Sequence, residues 1–231
     1  EAKSKCHGHL CRDENGRAVV HVSGTSVEKS IQVRVLDGLK EFWDTKSHIG
    51  LRERPSICAE NYMILCSPST LKSKSEKAAK AACKLKRHEA LWNLAFEAIN
   101  SVDPIFASQY TAVAVTHNFV GSPHIDKQNC GPFYGFSVGD FEEGTGNIMV
   151  ECSARTIAAV NTKNRMAKVD GRFPHWVGPY DSKADRYSLI YYRTEGEVDP
   201  IGPAIFDLPS ASSCRHLADD KNGAFSSNID K

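Results

Sequence analysis

Apolar positions divide the chain into two parts with different periods. From Ser26 to Trp43, the residues Val27, Ile31, Val33, Val35, Leu36, Leu39 and Phe42 fit a helical stripe in part, which predicts a helix with an extended lead-in. Gly50 to Ser69 keeps no sustained period and reads as irregular. Between Ser73 and Ile99, Ala78, Ala82, Leu85, Leu91, Leu94, Ala95 and Ala98 supply an apolar face for one long helix or two short ones, and Asp103-Pro104 ends it. Beyond Tyr110 the character changes. Short β-rich runs over 111–116, 133–138, 147–151, 156–160 and 187–192 are separated by Gly, Pro, Asn and Asp, the spacing of a β barrel or sandwich. Helices first and strands second predict an α+β chain, with a helical part over 1–105 bracing one face of a β core over 106–208. Residues 209–231 are small and polar and read as a flexible tail.

With 231 residues, 41% of them hydrophobic, the chain can bury one large core, so 1–208 is expected to be one domain. No apolar run approaches the roughly 18 residues of a membrane span. Glu1-Ala2-Lys3-Ser4-Lys5 also lacks the apolar stretch of a secretory signal, so a soluble intracellular protein is expected. The eight cysteines include no C-x-x-C pair, which argues against a disulfide scaffold and a zinc ribbon. Cys6-His7-Gly8-His9-Leu10-Cys11 has no second cluster at finger spacing and reads as a flexible terminus. A net charge of +1 gives no whole-molecule attraction to polyanions. Charge is uneven, however: Lys72, Lys74, Lys77, Lys80, Lys84, Lys86 and Arg87 face one acid, Glu76, on a predicted helix. That face is either plain solvated surface or a nucleic-acid contact.

Candidate chemistry begins at His124-Ile125-Asp126, just past the first strong strand. Residues i and i+2 of an extended chain point to the same side, so His124 and Asp126 can reach one ion. His175 follows far enough along for several strands to return the chain beside them. Two imidazoles and one carboxylate on one face of an octahedron leave open positions, which suits Fe(II) that takes a bidentate co-substrate and O2. An H-x-D alone is a weak signal; the next feature strengthens it. Arg186-Tyr187-Ser188 opens the last strand and puts a cation and a hydroxyl on one face, where an Arg can clamp a carboxylate such as that of 2-oxoglutarate.

H-x-D, a distal His and R-x-S in that order resemble the 2-oxoglutarate/Fe(II) dioxygenases. The finer resemblance lies in Ser122-Pro-His-Ile-Asp-Lys-Gln-Asn129, Gly131-Pro-Phe133, Val138-Gly-Asp-Phe141, Pro174-His-Trp176 and Arg186-Tyr-Ser-Leu-Ile-Tyr-Tyr192, which look like the TET/J-binding-protein family and its algal branch. It covers roughly Tyr110 to Thr194. The resemblance implies a double-stranded β-helix of the jelly-roll type, iron at His124, Asp126 and His175, and a co-substrate at Arg186 and Ser188. That co-substrate is 2-oxoglutarate or, as in an algal relative, ascorbate. It implies 5-methylcytosine in DNA as substrate, extruded from the duplex into the pocket, and hence a nuclear enzyme; a monomer is expected. Asn129 falls where the family contacts the cytosine edge, and Tyr192 where it stacks the base. Thr194 stands where animal-type members carry a base-contacting His, so Arg193 or His117 remains an alternative for that contact. Lys80, Lys84 and Arg87 become the expected contacts to the DNA backbone. The competing expectations are a hydroxylase of protein side chains or small metabolites, and a non-catalytic jelly-roll module that only binds.

Overall fold

The computed structural model describes residues 11–46, 48–72 and 75–206. The Cys6 to His9 part of the terminal Cys/His segment and the 209–231 tail lie outside them. Among the described residues, ten strands and four α-helices follow in the order β1 (Ala18–Ser23), β2 (Thr25–Ser26), α1 (Lys29–Asp44), β3 (Asn61–Cys66), α2 (Glu76–Arg87), α3 (Glu89–Asn100), α4 (Pro104–Ala107), β4 (Ala112–His117), β5 (Phe133–Gly139), β6 (Ile148–Ser153), β7 (Thr156–Asn161), β8 (Arg165–Val169), β9 (His175–Val177) and β10 (Arg186–Tyr192). The strands form a four-stranded sheet, β1-β7-β6-β9, and a six-stranded sheet, β2-β8-β5-β10-β4-β3. The larger sheet is antiparallel throughout, and in the smaller one only β1 runs parallel to its neighbour β7.

Strand period divides the larger sheet into two functional faces. Tyr187, Leu189 and Tyr191 of β10 pack with Val113 and Val115 of β4 and Met63 and Leu65 of β3 beneath the helices. The intervening residues Arg186, Ser188, Ile190 and Tyr192 face the opposite way, into a cavity. Between the sheets, Val22, Val150, Ala158 and Val160 of the small sheet meet Phe133, Ala167 and Val169 of the large one in a second core. This is the expected α+β architecture: a jelly-roll core of two facing sheets with helices on one side. Among the described residues no helix is long and apolar enough to cross a membrane.

The helices bury what their periodicity offers. On α1, Ile31, Val35, Leu39 and Trp43 recur every fourth residue and are buried. A Cβ at Gly38 would lie 2.6 Å from Leu94 Cδ1, which marks how closely α1 approaches α3. The basic segment is a separate helix, α2, capped by Ser75 Oγ accepting from Ala78 N, with Glu76 in its first turn and Lys84, Lys86 and Arg87 in its last, matching the helix dipole. Asp103-Pro104 starts α4 rather than merely closing α3: the Asp103 carboxylate accepts from Phe106 N at 2.9 Å and from Tyr134 OH at 2.8 Å.

The helical part expected over 1–105 also contains three strands, β1, β2 and β3, one of them within the segment read as irregular. Ala18 to Val22 is bound edge-on along β7, and Asn61 to Cys66 forms the outer strand of the large sheet beside β4. A run that is apolar on both faces has no two-residue alternation to reveal it; here Met63 and Leu65 turn to the helices while Tyr62 and Ile64 turn to the opposite face. Tyr191 is fully buried, and its hydroxyl donates to Ala95 O on α3 at 2.8 Å. Tyr191→Phe is expected to lower stability by about 1 kcal/mol, seen as a lower urea midpoint with an unchanged slope.

Candidate active site

Backbone pairing brings the metal donors together. His124 N donates to His175 O at 3.0 Å and His175 N to His124 O at 2.9 Å, so the two histidines face each other across an antiparallel bridge at the rim of the small sheet. Asp126 N donates to Gly171 O at 2.8 Å, which draws the carboxylate in beside them. Side-chain donor atoms of all three lie within 4.8 Å of one another. Asp126 Oδ1 stands 3.7 Å from His124 Nε2, and Oδ2 stands 3.8 Å from His175 Nε2.

Tautomer and orientation are set by carbonyls. His124 Nδ1 lies 2.7 Å from Ser122 O and His175 Nδ1 lies 3.0 Å from Phe173 O. A carbonyl only accepts, so each Nδ1 carries a proton, which leaves each Nε2 as the nitrogen that faces the Asp126 carboxylate and can be offered to a metal. Burial holds the His175 imidazole below its ordinary pKa, against the opposing pull of Asp126, which favours the neutral ring that a metal needs. The donor set therefore fits a divalent transition metal with open coordination positions.

Further residues brace the triad that the sequence did not reveal. Asp170 is fully buried and holds Arg172 in a two-point pair at 2.8 and 2.7 Å, while Arg172 also donates to Asp199 O at 2.6 Å. This fastens the 170–173 turn whose Gly171 and Phe173 carbonyls position Asp126 and His175. A Cβ at Gly171 would lie 2.8 Å from Asp126 Oδ2 and 2.9 Å from Phe133, so the close approach requires glycine.

Asn129 has a contact that the sequence did not announce. It lines the cavity, but its Nδ2 donates to Asp126 Oδ2 at 3.0 Å, so its amide already steadies a metal ligand. Asn129→Ala is expected to weaken Mn(II) or Fe(II) binding by about 10- to 100-fold, measured by direct metal titration. Unchanged affinity would assign Asn129 to the substrate alone.

The triad opens into a cavity of about 640 Å³ between the sheets. At its inner wall Arg186 is only 2% exposed. Its Nη1 donates to Ser188 Oγ at 2.7 Å and its Nε to Gly146 O at 3.2 Å, and its guanidinium sits 5.6 Å from the Phe141 ring centre and 5.8 Å from that of Tyr180. Among the described residues no carboxylate pairs with it. Desolvation pulls its pKa down to about 10, so it remains charged at neutral pH while poorly compensated. Ser188 Oγ lies 3.2 Å from Ser137 Oγ, which shares a hydrogen bond of 3.0 Å with Thr162 Oγ1.

Tyr192 and Thr194 also line the cavity, as does Trp176 beside His175. Burial raises the Tyr192 phenol well above its ordinary pKa, so it is neutral. Thr194 is anchored by its backbone N–H donating to Thr111 Oγ1 at 2.9 Å. His117 is not part of the lining: its ring stacks on Tyr187 at 4.4 Å between Asn61 and Asp185, a structural role. Arg193 pairs with Asp199 at 2.7 Å outside the cavity wall. Lys80, Lys84 and Arg87 do not line the cavity either; Lys80 pairs with Glu76 and Lys84 with Glu53, each at 2.7 Å. Arg54, Tyr62 and Phe119, none of which a motif announces, complete the wall.

Fold and site together define a two-sheet jelly roll with a two-histidine, one-carboxylate cluster at the mouth of an internal cavity. No family model matches the chain, and no curated protein matches its sequence. Solved structures that resemble it include NgTET1 in complex with 5mC DNA, at 12% identity and a TM-score of 0.46 over 83% of this chain and 77% of that one. A prolyl hydroxylase from Trichoplax adhaerens, in complex with a hypoxia inducible factor oxygen degradation domain peptide fragment, aligns at 14% identity and 0.43 over 85% and 86%. A Pseudomonas putida prolyl-4-hydroxylase aligns at 12% identity and 0.43 over 74% and 91%.

Proposed function

We propose that this protein is an Fe(II)- and 2-oxoglutarate-dependent dioxygenase that hydroxylates the methyl group of 5-methylcytosine in DNA. The single observation that carries the oxygenase reading is Arg186: a buried cation with no carboxylate partner among the described residues, set in the wall of the cavity that the His124, Asp126 and His175 donors open onto. A buried charge without a counter-ion is costly, and an anionic co-substrate supplies one.

When bound to the triad, a ferrous ion supplies the O2-activating chemistry. The chain's own residues do the rest. Arg186 takes the remote carboxylate of 2-oxoglutarate. Ser188, already accepting from Arg186, keeps its own proton free for that carboxylate or for Ser137. Phe133, Ile148 and Ile190 give the cavity its apolar lining, which excludes water and strengthens the electrostatics within.

Several features support a planar base as substrate. Tyr192 and Tyr62 offer aromatic surface, Thr194 a hydroxyl, and Arg54 and Lys127 positive charge on the same cavity. One experiment tests the whole reading: Fe(II)-loaded protein is incubated with a 5-methylcytosine duplex, with 2-oxoglutarate and ascorbate supplied separately, and the nucleosides are weighed by mass spectrometry. A gain of one oxygen with 2-oxoglutarate is the expected result. A glyceryl addition with ascorbate would replace the co-substrate assignment. An unmodified base under both conditions, with succinate still released, would move the substrate to a protein or small molecule.

A further inference from the structure

Besides Arg186, the cavity wall holds Arg54 and Lys127, cations that neither the metal triad nor the co-substrate requires. Arg54 lines the cavity with its guanidinium carbon 5.9 Å from the centre of the Tyr62 ring. Tyr62 is only 6% exposed and packs in one small cluster with Ile190 and Tyr192. Arg54 thus stands over the aromatic wall on which a flat group would rest.

Its position is built by the chain around it. The segment before β3 folds back along that strand: Tyr62 N donates to Leu51 O at 2.8 Å and Glu53 N to Tyr62 O at 3.0 Å. The Glu53 side chain then ties this segment to two other elements. Its Oε2 accepts from Ile64 N at 3.0 Å, and Lys84 Nζ on α2 donates to its two oxygens at 2.7 and 3.0 Å. Lys84 therefore neutralises the carboxylate next door to Arg54. Among the described residues no carboxylate pairs with Arg54 itself, so its charge stays available to a ligand.

Resting on the 5-methylcytosine reading above, we infer that Arg54 contacts a backbone phosphate flanking the base held in the cavity, and that Lys84 acts as a positioning residue through Glu53 rather than touching DNA. This reassigns one of the three basic residues read from the sequence. Without Lys84, the bared Glu53 carboxylate would compete with phosphate for the neighbouring guanidinium.

The test is binding of a labelled 5-methylcytosine duplex across a range of salt concentrations, by anisotropy, with the wild-type chain and variants. Arg54→Ala is expected to weaken binding about tenfold and to flatten the slope of log affinity against log salt by about 0.9. Arg54→Lys should keep the slope, since it keeps the charge. Lys84→Ala should also weaken binding, and adding Glu53→Gln should restore it, because the competing carboxylate is then gone. An unchanged affinity and slope in Arg54→Ala overturn the inference while leaving the substrate reading intact. Failure of Glu53→Gln to restore Lys84→Ala overturns the positioning role of Lys84. Absence of DNA binding by the wild-type chain, with 2-oxoglutarate still consumed, sinks both the substrate reading and this inference but not the oxygenase.

Discussion

Replacing Arg186 with methionine is expected to raise the KM for 2-oxoglutarate by at least about a hundredfold while leaving the chain folded. Two charge-assisted contacts to a carboxylate are lost in a site from which water is excluded, so little replaces them. The stability side runs the other way. In the free protein the Arg186 cation is desolvated, with no acidic partner among the described residues, and an unbranched apolar side chain of similar length removes that burden. Offsetting this, Gly146 O and Ser188 Oγ lose their donor. The net change in melting temperature of the ligand-free variant should therefore be small, whereas the stabilisation that 2-oxoglutarate gives the wild type should vanish. A thermal-shift titration with and without 2-oxoglutarate reads both at once. If 2-oxoglutarate still stabilises the variant as it does the wild type, Arg186 is not the anion site.

The burden of the buried Arg186 cation depends on pH. The folded-state pKa of Arg186 is depressed to about 10, below the ordinary guanidinium value, so between the two the unfolded chain binds the proton more tightly. This one group therefore opposes folding at neutral pH, and its opposition fades only as pH rises past about 10. An anion bound beside it removes that opposition at neutral pH.

The second large effect is at the metal. Asp126→Ala removes the one anionic donor, and affinity for Fe(II) or Mn(II) should fall by more than about a hundredfold, the upper range for losing only an outer partner of a ligand. Turnover should fall with it. The backbone hydrogen bond from residue 126 to Gly171 O survives, so the loop and the His124–His175 bridge should stay in place. Metal titration followed by circular dichroism separates loss of the ligand from loss of the fold. Full activity in Asp126→Ala would mean that the three side chains do not hold the catalytic metal.

Much of this site could be read from local chemistry. The i, i+2 spacing of His124 and Asp126, and again of Arg186 and Ser188, depends only on strand geometry, and both pairs do share a face. Helices α1, α2 and α3 were legible from four-residue apolar spacing, and β4, β5, β6, β7 and β10 from short β-branched or aromatic runs. Two kinds of element were not. The strands β1 and β3 owe their pairing to partners about 140 and about fifty residues away, and β9 is three residues long. Such strands carry too little periodicity of their own to be told from loop.

Side-chain roles followed the same division. Residue type alone told that His124, Asp126 and His175 could bind a metal and that Arg186 could bind an anion, because donor chemistry belongs to the residue. Tertiary structure alone decided which partners those groups meet. It turned Asn129 toward Asp126, occupied Lys84 with Glu53, set His117 between Asn61 and Asp185, and brought Arg54 over Tyr62. A hydrogen bond or ion pair is a property of two positions in space, and the chain's local pattern specifies only one of them at a time.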